Sequence, residues 1–150
     1  MYKRQVYGGA ERDILTAVLP LPDGGYLLGG FSNSGATGSK TEPIRGDRDM
    51  WVVRIDANGV QLWGKTLGGD AEDYLSTMLP TDDGGFLLGG WTYSSISGEV
   101  SEDSKGDPAD FWLVKIDDSG GYLWDKRYGG DAIDLMQSIC LLYTSPSPRD

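Results

Sequence analysis

The sequence predicts an all-β protein, a partial β-propeller built from two four-stranded antiparallel blades plus stubs of two more. Three observations predict it. The chain repeats itself with a period of about 60 residues. Each copy breaks into four short apolar runs separated by turn residues. No stretch of ten or more residues carries helical spacing with good caps. Glycine is abundant at 23, beside five tryptophans and eight tyrosines, as suits short strands joined by many turns.

The repeat is plain in the text. "PDGGYLLGGFS" at Pro22 returns as "DDGGFLLGGWT" at Asp82. "DMWVVRIDANGVQLWGKTLGG" at Asp49–Gly69 returns as "DFWLVKIDDSGGYLWDKRYGG" at Asp110–Gly130, one residue further displaced. The extra residue therefore falls in the polar stretch between the two blocks. "YGG" at Tyr7–Gly9 is the tail of an earlier copy, and "DLMQSI" at Asp134–Ile139 opens a third, matching "DILTAV" and "DYLSTM".

Within a copy the first strand is "ILTAVLP" or "YLSTMLP", ended by proline. "DGG" follows as a tight hairpin turn, where glycine tolerates positive φ. "YLLGGFS" or "FLLGGWT" is the second strand, and a long polar loop follows it. "MWVVRI" or "FWLVKI" is the third; "DANG" or "DDSG" turns the chain into the fourth, "VQLWGKT" or "YLWDKR". Four strands in this order form a meander. One meander buries too little apolar surface alone, so the copies are expected to stack radially, as propeller blades do. A β-solenoid is the alternative, but its coils are usually shorter than this period.

Composition narrows the function. The net charge of −10 opposes binding to nucleic acid or an anionic membrane. No apolar run approaches the roughly 18 residues of a membrane span, and none follows the basic residues of "MYKRQVYGG" as in a signal peptide. Histidine is absent and Cys140 is the single cysteine, which removes the usual zinc sites, Cys nucleophiles and His bases. Chemistry would fall to carboxylates, Tyr, Lys or Arg, and nothing sets two carboxylates at a defined separation.

Trp63 and Trp124 each stand four residues after a turn glycine, Gly59 or Gly120, with Asp56 or Asp117 before the turn. This resembles the tryptophan-docking motif of quinoprotein propellers, with an Asp-to-Gly spacing one residue shorter. A wider resemblance covers Val6–Ile139. The order W-x-K-x-x-GG, then DGGYLLGG-x-S, then D-x-W-V-V-K-I-D-x-x-G resembles the tandem repeats of large secreted bacterial proteins associated with type IX secretion. The resemblance implies a propeller-like, extracellular or cell-surface scaffold and leaves its ligand open.

The two ends depart from the repeat. "CLLYTSPSPRD" at Cys140–Asp150 stands where "LPTDDGG" is expected, and Lys3 stands where the repeat has tryptophan. Back-translated, the closing segment and the opening "MYKRQ" resemble the transposase mosaic ends and adapter used to fragment DNA for sequencing. The expectation is that 1–5 and 140–150 are adapter-derived and that 6–139 is a propeller fragment. Its repeats would be about 10–69 and 70–130, with a third beginning at 131–139. A ring of six to eight such blades needs roughly 360–480 residues, so further blades of the same chain are expected. Two blades alone leave open edges, and marginal stability or association is expected.

Several residues invite a functional reading. Asp47 and Asp49, with Asp107 and Asp110, close the long polar loops and form the candidate metal site, with calcium as the possible ion. No complete calcium-loop pattern accompanies them. Asp13, Asp73 and Asp134 recur after the double glycines, either as rim ligands or, more simply, as caps of strand entrances. Gly29–Gly30 and Gly89–Gly90 lie inside strands, where close blade packing is the simpler reading than approach of a ligand. Trp51, Trp63, Trp112 and Trp124 read as inter-blade packing, and Phe31 with Trp91 as a candidate aromatic platform for sugar. The long loops, polar and divergent between copies, are the expected place for function. The sequence therefore points to a non-catalytic scaffold binding a protein, glycan or ion through those loops. The alternatives are a propeller hydrolase, lyase or quinoprotein working through carboxylates, and a plain spacer.

Overall fold

In the computed structural model, which describes residues 4–106, 108–140 and 142, the two sequence copies fold into two four-stranded antiparallel sheets. The first contains β1 (Asp13–Pro20), β2 (Tyr26–Ser32), β3 (Asp49–Ile55) and β4 (Gln61–Leu67) in the order β1-β2-β3-β4. The second repeats it with β5 (Asp73–Pro80), β6 (Phe86–Thr92), β7 (Asp110–Ile116) and β8 (Tyr122–Tyr128). No helix occurs among the described residues. Each sheet is a meander of the expected kind, and each expected strand lies within one residue of an observed one.

Local chemistry sets the turns. Gly24 and Gly84 take φ of 84° and 86° in the "DGG" hairpins. Asp23 and Asp83 accept the amides of Gly25 and Gly85, each at 3.0 Å. The buried cations Arg54 and Lys115 of β3 and β7 bridge to the same two aspartates. At the other hairpin, Asp56 Oδ1 accepts the amides of Asn58 and Val60, and Asp117 Oδ1 those of Ser119 and Gly121.

The sheets pack face to face, and alternation along each strand decides which face goes where. Leu27, Met50 and Val52 of the first sheet meet Leu88, Trp112, Val114 and Ile116 of the second in one shared core. Trp112 is fully buried, and its indole N–H donates to Asp125 at 2.8 Å. Trp63 packs against this core, with Gly120 of the next sheet's turn lying on its ring. The opposite face of the first sheet carries Trp51, Val53 and Ile55, covered in part by Leu28 and by Tyr7.

The strand-internal glycines have a steric cause. The pairing of β1 with β2 shifts between Leu15 and Ala17, a bulge that leaves Thr16 over; β5 and β6 repeat it at Ser76. At that bulge the carbonyl of Ile14, or of Tyr74, presses onto the site of a Cβ on Gly30 or Gly90. A Cβ on Gly29 would meet Met78 Sδ at 2.5 Å and Leu75 Cδ2 at 2.8 Å, both from the neighbouring sheet. Thus one glycine admits the bulged strand and the other admits the next sheet. Gly29→Val is expected to destabilise the chain by roughly 1–3 kcal/mol through overpacking. Urea denaturation followed by tryptophan fluorescence measures it, and a neutral result would show that the two sheets do not press together here.

Candidate functional site

The starts of β1, β3, β5 and β7 lie at one end of the sheets, and the recurrent aspartates gather there. Asp13 accepts the amide of Gly9 at 2.7 Å and the hydroxyl of Ser34 at 3.1 Å. Asp73 accepts the amide of Gly69 at 2.7 Å and Ser94 Oγ at 2.9 Å. Asp134 accepts the amide of Gly130 at 2.8 Å. Each thus caps the double glycine four residues before it, the structural role weighed for it from the sequence.

The long loops do not stand free. Ser39 donates its backbone N–H to the Gly8 carbonyl, and Glu99, at the matching place, donates to the Gly68 carbonyl. Ser34 Oγ accepts from Glu11 N and Ser94 Oγ from Ala71 N; Thr37 Oγ1 accepts from Ala10 N and Ser97 Oγ from Asp70 N. Each loop therefore clasps the double-glycine segment that precedes its own sheet. Further on, Glu42 accepts the backbone N–H of Thr66, and Glu102 that of Arg127, so the loop also caps the outer strand of its sheet. Much of the loop polarity, expected to face a ligand, is turned inward to backbone amides. Only long-range contacts reveal this.

Asp49 and Asp110 are fully buried beneath these loops. Asp49 Oδ2 accepts the amide of Arg45 at 2.6 Å, and burial pushes its carboxyl up. Asp110 accepts the amide of Lys105 at 3.0 Å and Arg127 Nε at 2.5 Å, a pair sealed from solvent. Asp47 is exposed, with its backbone carbonyl taking Asn33 Nδ2 at 2.9 Å. Asp107 lies outside the described residues. Among the described residues no group of three or more acidic side chains is placed to hold a metal ion. Both oxygens of Asp49 and Oδ2 of Asp110 are directed at amides and a guanidinium, whereas Asp110 Oδ1 is buried without a hydrogen-bond partner among the described residues.

A second buried carboxyl adjoins Asp49. Asp73 has its pKa raised to about 7, first by burial, against hydrogen bonds from Thr92, Gly69 and Ser94 and with the charge of Asp49 adding to the rise. Glu99, also raised by burial, accepts the Gly68 amide and pairs with Arg45 at 2.8 Å. Asp49 and Asp73 are closed to solvent, which leaves a substrate no approach to them.

This end also leaves a cluster of aromatic side chains half-exposed. Tyr74 stacks on Trp91 at 5.0 Å, meets Phe31 edge-on at 4.9 Å and Tyr93 edge-on at 6.3 Å. The Arg48 guanidinium lies 5.4 Å from the Phe31 ring centre and 5.1 Å from that of Tyr74, and also reaches Asn33 Oδ1 at 3.2 Å. Tyr74 donates its hydroxyl to Glu72 at 2.7 Å. The structure so joins Phe31 and Trp91 through three residues that the sequence reading passed over: Tyr74, Tyr93 and Arg48. Their signal was departure from the repeat, since the matching positions hold Ile14, Asn33 and Ala109. No family model matches the chain, and no curated protein matches it.

Proposed function

We propose that the chain is a stretch of non-catalytic β-propeller scaffold, secreted or on a cell surface, that presents one rim to a glycan or protein partner. The observation that carries this reading is the clasp. Loop hydroxyls and amides engage the segments Gly8–Glu11 and Gly68–Ala71 through the same hydrogen bonds at matching positions. Such chemistry joins one blade to the next and is indifferent to how many follow. Extracellular placement rests on the likeness of the repeats to those of secreted bacterial proteins.

The rim of Phe31, Tyr74, Trp91 and Tyr93, with Arg48, Asn33 and Glu72 at hand, suits a glycan better than an ion. Aromatic rings offer apolar area for the C–H face of a sugar, and the polar groups beside them fix hydroxyls. A glycan array, followed by titration of the strongest hit on intrinsic fluorescence, tests it. Trp91→Ala is expected to weaken binding at least tenfold with the β-sheet circular dichroism unchanged. Binding that survives Trp91→Ala and Arg48→Ala together would move the site off this rim.

A further inference from the structure

The segment Asp134–Ile139 lies on the second sheet just as β5 lies on the first. Asp134 N donates to the Ala109 carbonyl at 2.9 Å, as Asp73 N does to Arg48. Ser76 Oγ donates to the Met136 carbonyl at 2.6 Å, as Thr16 Oγ1 does to Leu75 at 2.5 Å. Met136 and Ile139 seat over Gly89, where a Cβ would lie 2.7 Å from Met136 Sδ and 3.4 Å from Ile139 Cδ1; Leu75 and Met78 seat over Gly29. The second sheet therefore has an acceptor groove for a strand with aspartate first and apolar residues third and sixth.

Among the described residues, β1 has that pattern and no seat. In β1, Asp13 is followed by Leu15 and Val18, which are 59% and 52% exposed. Their counterparts Leu75 and Met78 are 1% and 9% exposed. On the acceptor side Trp124 and Tyr128 are 43% and 54% exposed, whereas their counterparts Trp63 and Leu67 pack into the core between sheets. Donor and acceptor lie on opposite faces of the two-sheet unit, so β1 cannot reach the acceptor of its own chain. We propose that the outer face of the second sheet docks β1 of a second copy of this chain, which displaces Asp134–Ile139 and builds a head-to-tail assembly.

The contact is heterologous, one face of each copy on the other face of the next, and this sets it apart from a symmetric dimer or from nonspecific association. The inference rests on the internal equivalence of the two sheets and is independent of any ligand at the rim.

Sedimentation velocity on the full chain, from micromolar to a few hundred micromolar, tests it with three variants. Leu15→Asp/Val18→Lys removes the donor, and Trp124→Glu/Tyr128→Lys removes the acceptor; all four positions are exposed, so the fold is kept. Each double variant alone is expected to stay monomeric, and their equimolar mixture to form a one-to-one dimer and nothing larger. Met136→Asp, which unseats the internal occupant, is expected to tighten self-association at least tenfold. A mixture that stays monomeric, a double variant that associates by itself, or a Met136→Asp chain no more associated than the parent would each overturn the proposal.

Discussion

Arg127→Thr is expected to destabilise the chain by about 3–5 kcal/mol, the usual cost of stranding one partner of a buried ion pair. Arg127 and Asp110 are 1% and 0% exposed, and the guanidinium also donates to the Ser94 carbonyl at 2.6 Å, tying β8 to the loop. Without it the Asp110 carboxylate keeps the Lys105 amide but has no countercharge. The first sheet shows a second solution to the same problem. There the matching position on β4 is Thr66, and the cation arrives from the loop: Lys40 Nζ donates to Thr66 Oγ1 at 2.7 Å and to the Glu42 carbonyl, and its charge acts on Asp49. The loop position matching Lys40 is Val100, buried in the core. The double variant Val100→Lys/Arg127→Thr transplants that arrangement and is expected to recover at least half of the loss. Urea denaturation at pH 5.5 measures all three chains. A single variant that loses less than 1 kcal/mol, or a double no better than the single, would show that the buried cation is not what the aspartate requires.

Stability should also fall as pH rises from about 4 to 7, the reverse of ordinary acid unfolding. Asp73 has its ordinary value near 3.8 raised to about 7 in the fold, chiefly by burial. Below the ordinary value the carboxyl is protonated whether the chain is folded or not. Between the two values the folded chain holds a proton that the unfolded chain has released. The stabilising contribution is therefore complete below about pH 4 and lost as pH passes 7. A shift of this size corresponds to on the order of 4 kcal/mol. Asp49 and Glu99, raised by burial, act in the same sense. Asp23 and Asp70 are shifted downward by hydrogen bonds, from the Gly25 amide and from Ser95 respectively, and destabilise the fold only under stronger acid. Asp73→Asn, which keeps a neutral side chain beside Gly69 and Ser94, is expected to flatten the slope between pH 5 and 8. Denaturation midpoints across that range decide it, and an unchanged slope in the variant would move the effect to another carboxyl.

Much of this protein was legible from one dimension. Strand character is local: Pro20 and Pro80 end a run, and "DGG" folds a hairpin before any neighbour is known. The repeat then doubled every inference, because a pattern such as Asp-x-Trp that returns after 61 residues must answer to the same surroundings. The caps made by Asp13 and Asp73 could be anticipated for the same reason.

The tertiary structure decided what depends on reach between distant residues. Whether a loop serine faces solvent or accepts the Glu11 amide is a question of three-dimensional closure, and Ser34 looks the same in sequence either way. The exchange of Lys40 with Thr66 for Val100 with Arg127 involves positions some 26 residues apart in the chain, and only the buried aspartate they share makes them one feature. Tyr74 became the centre of the aromatic rim because it pairs with Trp91 across β5 and β6 while the packing of the two sheets brings Phe31 and Arg48 against it. By itself the sequence determined the strands, the turns and the meander order, since those follow from nearest neighbours and the repeat. Which polar groups are spent on the protein itself, and which remain for a partner, was decided by packing, because burial and hydrogen-bond closure are properties of the assembled sheets.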